Sequence, residues 1–188
     1  MNNPLHLELK EKCSKYFIFK DLFHCGKTWN ATHCDNEPIQ SESWQAYSQL
    51  ALSILDPVVD EFGLIDLTFG FCGNDLRKLI LAKPNPRIAP RLDQHAAHEL
   101  NLNNQLICSR LGAAVDFIVP HKSAYDVANW INSRLIFDRL YIYGDNLPIH
   151  VSVGPEMMRQ LILMQTINGR RIPRKLTDEK LKALRMAE

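Results

Sequence analysis

The chain has 188 residues, with 46% hydrophobic and 23% charged side chains and a formal net charge of +1. That length suits a single domain, and that composition implies a packed core rather than disorder. A charge so close to zero gives no electrostatic case for nucleic acid or an acidic membrane as the main partner.

Residues 1–40 read as an irregular N-terminal segment. Their opening, MNNPLHLELKEKCSKYF, lacks the charged-then-apolar order of a secretory signal, and no window has the length of a membrane span. The expectation is a cytoplasmic protein, which five scattered cysteines, an odd number without a framework pattern, also suit. FIFKDLF reads as a short strand or the start of a loop. HCGKTWNATHCDNEP then carries Gly, Asn, Asp and Pro turn signals. Its pairs His24-Cys25 and His33-Cys34 fit no zinc-finger spacing, and Gly26-Lys27-Thr28 lacks the glycine-rich approach of a phosphate loop. SESWQAYSQLALSILDPVVDEFG is the strongest helix, because Trp44, Tyr47, Leu50, Ala51, Ile54, Leu55 and Val58 recur at helical spacing. Pro57 predicts a kink there, or the start of a second short turn. LIDLTF reads as a strand, and Asn74 is placed to cap the helix DLRKLILA.

Residues 83–91, with three prolines, read as a loop, and residues 114–119 as a strand. SAYDVANWINSR is a helix opened by a Ser-x-x-Asp box. FDRLYIY and PIHVSVG are two strands joined through residues 144–148. LILMQTI adds an apolar run. Residues 170–188 form a basic C-terminal segment in which RRIPRK reads as a solvated tail before a short helix capped by Thr177. There is no internal repeat. Helices first, then strands with mixed connections, predict an α+β domain over 1–188 with a mainly antiparallel sheet flanked by helices.

SRLGAAVDFIVPH (109–121) sets an acid inside an apolar strand. By alternation Ala114, Asp116 and Ile118 share one face, and Val115, Phe117 and Val119 the other. A carboxylate there needs a partner or a metal. In PIHVSVG, His150 and Ser152 likewise share the polar face. If the two strands are neighbours, Asp116 and His150 converge, which supplies two of the three protein ligands of a catalytic zinc.

These segments, in this order, resemble the zinc D-Ala-D-Ala carboxypeptidase family, whose fold is shared with the hedgehog signalling domain. ICSRLGAAVDF resembles its S-x-H-x-x-G-x-A-x-D motif, and LIFDRLYIYGDNLPIHVSVG its F-D-Q-L … W-x-H-h-S motif. FIFKDLFHCGKTWNATHCDNEP, the Ser41 helix and LIDLTFGFCGNDL match its earlier segments more generically. The resemblance implies a hedgehog/D,D-peptidase-like fold, with Asp116 and His150 on zinc-ligand positions. It also exposes three departures. The family's first ligand histidine is Ser109 here, its base carboxylate is Leu147, and its substrate-steadying arginine is Cys72.

DQHAAHELN offers replacements. His95 and His98, at i and i+3, share one face if the segment is helical, and either could supply the missing ligand, with Glu99 as base. Cys72 offers a second route, as soft ligand or as nucleophile beside a His/Asp pair. Three functions follow. The first is a degenerate, metal-free relative serving as a binding or assembly protein for a peptide or protein partner. The second is a zinc peptidase or amidase acting on peptide or cell-wall fragments, and the third a Cys72-dependent hydrolase.

Overall fold

The computed structural model describes residues 9–167 and 169–185. Apolar alternation builds one sheet from β1 (Asp66–Phe69), β2 (Ala113–Ile118), β3 (Arg139–Ile142), β4 (Ile149–Val153), β5 (Gln160–Ile167) and β6 (Arg170–Lys175). Their spatial order is β1-β2-β4-β3-β5-β6. Every pairing is antiparallel except that of β3 with β5. The class is α+β, as the element order implied.

One face of the sheet is the core. Val115, Phe117, Leu140, Val151 and Val153 are fully buried there and pack with apolar residues of the helices. The helices are α1 (Phe19–Phe23), α2 (Lys27–Thr32), α3 (Ser41–Leu50), α4 (Asp56–Phe62), α5 (Asn74–Leu81), α6 (Ala124–Arg134) and α7 (Asp178–Arg185). All but α2 and α5 contribute to this core, and Leu76 and Ile80 of α5 gather with Trp29 of α2 in a smaller cluster. A π-helical turn, Ala51–Leu55, joins α3 to α4 without a break. Pro57 falls at the start of a second short helix, one of the two outcomes its position implied. It sits in the first turn of α4, where its missing N–H costs least, and the wide π turn lies directly before it. Phe62 meets Trp130 edge-on at 5.4 Å, tying α4 to α6 on the same side.

Four local expectations are corrected. Residues 17–23 contain a helix instead of a strand, because Leu22 and Phe23 turn inward and Phe23 packs on Trp44, Tyr47 and Phe71. With α1 and α2, the described part of segment 1–40 is not irregular throughout; residues 1–8 lie outside the described residues. Asn74 does not cap α5, whose N-cap is Gly73. Its amide donates to the Leu100 carbonyl and accepts from Arg77 instead. RRIPRK is no tail: all six residues pair with β5 as the edge strand β6. Pro173 is tolerated because an edge has ladder positions to spare, and the exposed arginines discourage further strand pairing. Ser123 caps α6 as expected, accepting from Tyr125 N–H at 3.2 Å.

The other face of the sheet is covered by the irregular chain between α5 and β2. Gly112, with φ +81°, lets that chain dive beneath β4, since a Cβ there would stand 1.9 Å from the Val153 carbonyl oxygen.

Candidate metal centre

β2 and β4 pair with Asp116 directly opposite His150, so both side chains rise from the covered face. His150 Nδ1 lies 2.8 Å from Asp116 Oδ1. His95 comes down from the covering segment, with Nε2 3.3 Å from the same oxygen. The three ligand atoms lie within 4.8 Å of one another, the one such cluster among the described residues that could hold a metal ion.

His95 is held from every side. Its carbonyl accepts from the Tyr47 hydroxyl and the Cys72 N–H, both at 3.0 Å. Its Nδ1 sits 2.9 Å from the Gly70 carbonyl and 3.1 Å from that of Ala114. Two carbonyl acceptors require Nδ1 to carry the proton. A neutral ring then aims the bare lone pair of Nε2 at a carboxylate oxygen, acceptor against acceptor. Only a positive charge relieves that contact, either a second ring proton or a cation between the two. Burial opposes charge on His95, but the Asp116 carboxylate outweighs it and holds the proton above the ordinary histidine range. Burial would likewise raise Asp116, yet the His95 charge and the His150 bond keep its carboxyl well below the usual range.

His150 is 2% exposed, and its Nε2 is buried without a hydrogen-bond partner among the described residues. Ligands of a tetrahedral ion with bonds of about 2.0–2.1 Å stand about 3.3 Å apart. The 2.8 and 3.3 Å separations are close to that spacing. Two imidazoles and a carboxylate, open to a cavity on one side, could therefore hold a metal ion. Phe69 and Tyr141 close the flanks with edge-on ring contacts, at 4.5 Å to His95 and 5.0 Å to His150. Such an apolar collar limits the water around the donors.

The cluster floors a cavity of about 440 Å³ that Asp93, Tyr143, Arg87, Arg110 and Arg171 also line. Asp93 accepts from the Ala89 N–H through Oδ2, while Oδ1 is buried without a hydrogen-bond partner among the described residues. Arg171 lies over the Tyr143 ring at 5.0 Å, and Arg110 donates to the Leu92 carbonyl. A second cavity, of about 550 Å³, also reaches Asp116 and shares residues 86–88 with the first.

Of the sequence candidates, Asp116, His150 and His95 come together, and His98, Glu99 and Cys72 do not. Residues 95–98 form a turn, so the expected helical face does not exist. Gln94 and Ala97 adopt positive φ of 58° and 48°, which swings His98 away from His95. His98 Nε2 instead accepts from the Gly112 N–H at 3.3 Å. Glu99 is no base. Its Oε1 accepts from the Ile39 N–H (3.1 Å), the Gln40 N–H (3.0 Å) and the Ser43 hydroxyl (2.8 Å), anchoring the start of α3. Cys72 is buried beside Leu76 and Ile80, where desolvation drives its thiol far up, away from any nucleophilic form. Leu147 lines a different cavity, and Ser109 is exposed outside the cluster. The His24 and His33 region holds no metal-ligand cluster among the described residues; His24 stacks on Trp29 at 4.3 Å.

Sequence reasoning overlooked Asp93, although it stands two places before His95. The arginines and Tyr143 gave no linear signal, since they come from four separated stretches. Comparison of the chain with protein-family models, with curated proteins and with solved structures returns no match.

Proposed function

We propose that this chain is a zinc-dependent hydrolase of the carboxypeptidase or amidase type, acting on a peptide or cell-wall fragment and related in fold to the D,D-peptidases. The observation that carries the proposal is the facing of His95 Nε2 and Asp116 Oδ1 at 3.3 Å, beside His150 and beneath a cavity. Zinc, when bound, polarises a carbonyl and lowers the pKa of its water toward about 7. The chain's own groups do the rest. Gly70 and Ala114 hold the His95 ring, Asp93 adds a second carboxylate to the cavity wall, and the three arginines attract an anionic substrate end. No described helix is long and apolar enough to cross a membrane.

A second reading keeps the metal but not the hydrolysis, as a peptide-binding or assembly protein. It is favoured by the commitment of Glu99 to α3 and by Leu147 where the resembled family has its base. One experiment separates the two. Untagged protein is analysed for zinc, then incubated with purified muropeptides while released amino groups are counted. Hydrolysis predicts about one zinc per chain and release that stops in His150→Ala. Zinc without release leaves the binding role. No zinc overturns both.

A further inference from the structure

Next to the His95, Asp116 and His150 cluster the same sheet face buries a second polar group, built around Gln94. Gln94 is fully buried. Its amide nitrogen donates to the Leu111 carbonyl (2.8 Å) and Asp138 Oδ2 (2.9 Å), with the Val153 carbonyl at 3.3 Å. Its amide oxygen accepts from the Ser152 hydroxyl (2.8 Å) and Arg139 Nη1 (3.4 Å). Arg139 and Asp138 form a buried ion pair, and the second Asp138 oxygen accepts from the Met158 N–H at 3.0 Å.

Placing such a pair in the interior is unfavourable unless further hydrogen bonds satisfy it. Gln94 supplies them, and does so from a left-handed backbone, φ +58°, which is itself unfavourable for a residue with a side chain. Gly154 makes room: a Cβ there would stand 2.8 Å from Gln94 Nε2 and 3.0 Å from Asp138 Oδ2. Two unfavourable features thus converge on the residue immediately before His95.

We infer that Gln94 is a positioning residue for the metal centre, locking the covering segment to β3 and β4 through Asp138, Arg139 and Ser152. Asp116 and His150 stand on paired strands and need no such device. His95 is the one member supplied by irregular chain. Its ring is oriented by Gly70 and Ala114 and its carbonyl is held by Tyr47 and Cys72, while Gln94, one residue earlier, is the anchor that ties this stretch to β3 and β4. This inference rests on the metal reading above.

The test measures zinc affinity by chelator competition and records the visible spectrum of the cobalt(II)-loaded protein. Gln94→Ala should weaken zinc binding by about 10–100-fold, as loss of an outer-sphere support does. It should also weaken the intense bands of four-coordinate cobalt as His95 gives way to water. Asp138→Asn keeps the shape and tests the same anchor if Gln94→Ala does not fold; it should move both readouts in the same direction. Ser14→Ala loses a buried 2.8 Å bond to Asp56, away from the site, and should lower melting while leaving affinity and spectrum unchanged. Wild-type affinity and spectrum in Gln94→Ala and Asp138→Asn would overturn the inference while the metal site stood. A wild type that binds no metal overturns the site itself, and this inference with it.

Discussion

The sheet and the segment that covers it supply the same centre by opposite physical routes. On the sheet, Asp116 and His150 are register partners, and strand alternation alone sends both to one face. In the covering segment, His95, His98 and Glu99 lie within five residues of one another and end in three different places. The positive φ at Gln94 and Ala97 decides which of them faces the sheet. A regular element broadcasts the direction of its side chains; an irregular one fixes each direction by local contacts.

Replacing a sheet ligand should have the largest effect. Asp116→Ala and His150→Ala are each expected to weaken zinc binding by more than about a hundredfold, beyond the range of outer-sphere changes. Chelator competition reads this directly. A loss no greater than that of Gln94→Ala would mean that the sheet pair does not hold the ion. Within the covering segment, Glu99→Ala should act on stability alone. Three hydrogen bonds to a charged, buried acceptor disappear, destabilising the fold by about 2–3 kcal/mol and lowering the melting temperature by about 4–12 °C. Zinc affinity should not change; a large fall would return Glu99 to the site.

The smallest effect concerns the thiols. Burial pushes the Cys25 thiol up to about 12 and the Cys72 thiol up as well. At pH 8 roughly one Cys25 in ten thousand is a thiolate, rising tenfold per pH unit below the pKa. Both cysteines should therefore resist alkylation in the native protein and react on unfolding. Mass spectrometry showing fast native labelling of Cys72 at neutral pH would restore the cysteine mechanism.

Much of the fold was legible because its strands alternate. The Asp116 and His150 faces, the α6 cap at Ser123 and the helical stripe from Trp44 to Val58 all follow from local periodicity. RRIPRK was missed as a strand because its charge is that of an exposed edge, although it follows β5 after only Asn168-Gly169, a dipeptide that signals a tight hairpin. Half of the site was legible for the same reason. The sequence offered His95 and His98 as equals, since the backbone geometry that separates them depends on Gln94 reaching residues as distant as Ser152. The role of Glu99 was hidden likewise, as its three partners lie some sixty residues away.

The most direct measurement is a zinc titration of His95→Ala and His98→Ala beside the wild type. The geometry predicts one ion per chain in the wild type and in His98→Ala, and loss of tight binding in His95→Ala. Equal binding by all three, or loss in His98→Ala with His95→Ala intact, would contradict the centre described here.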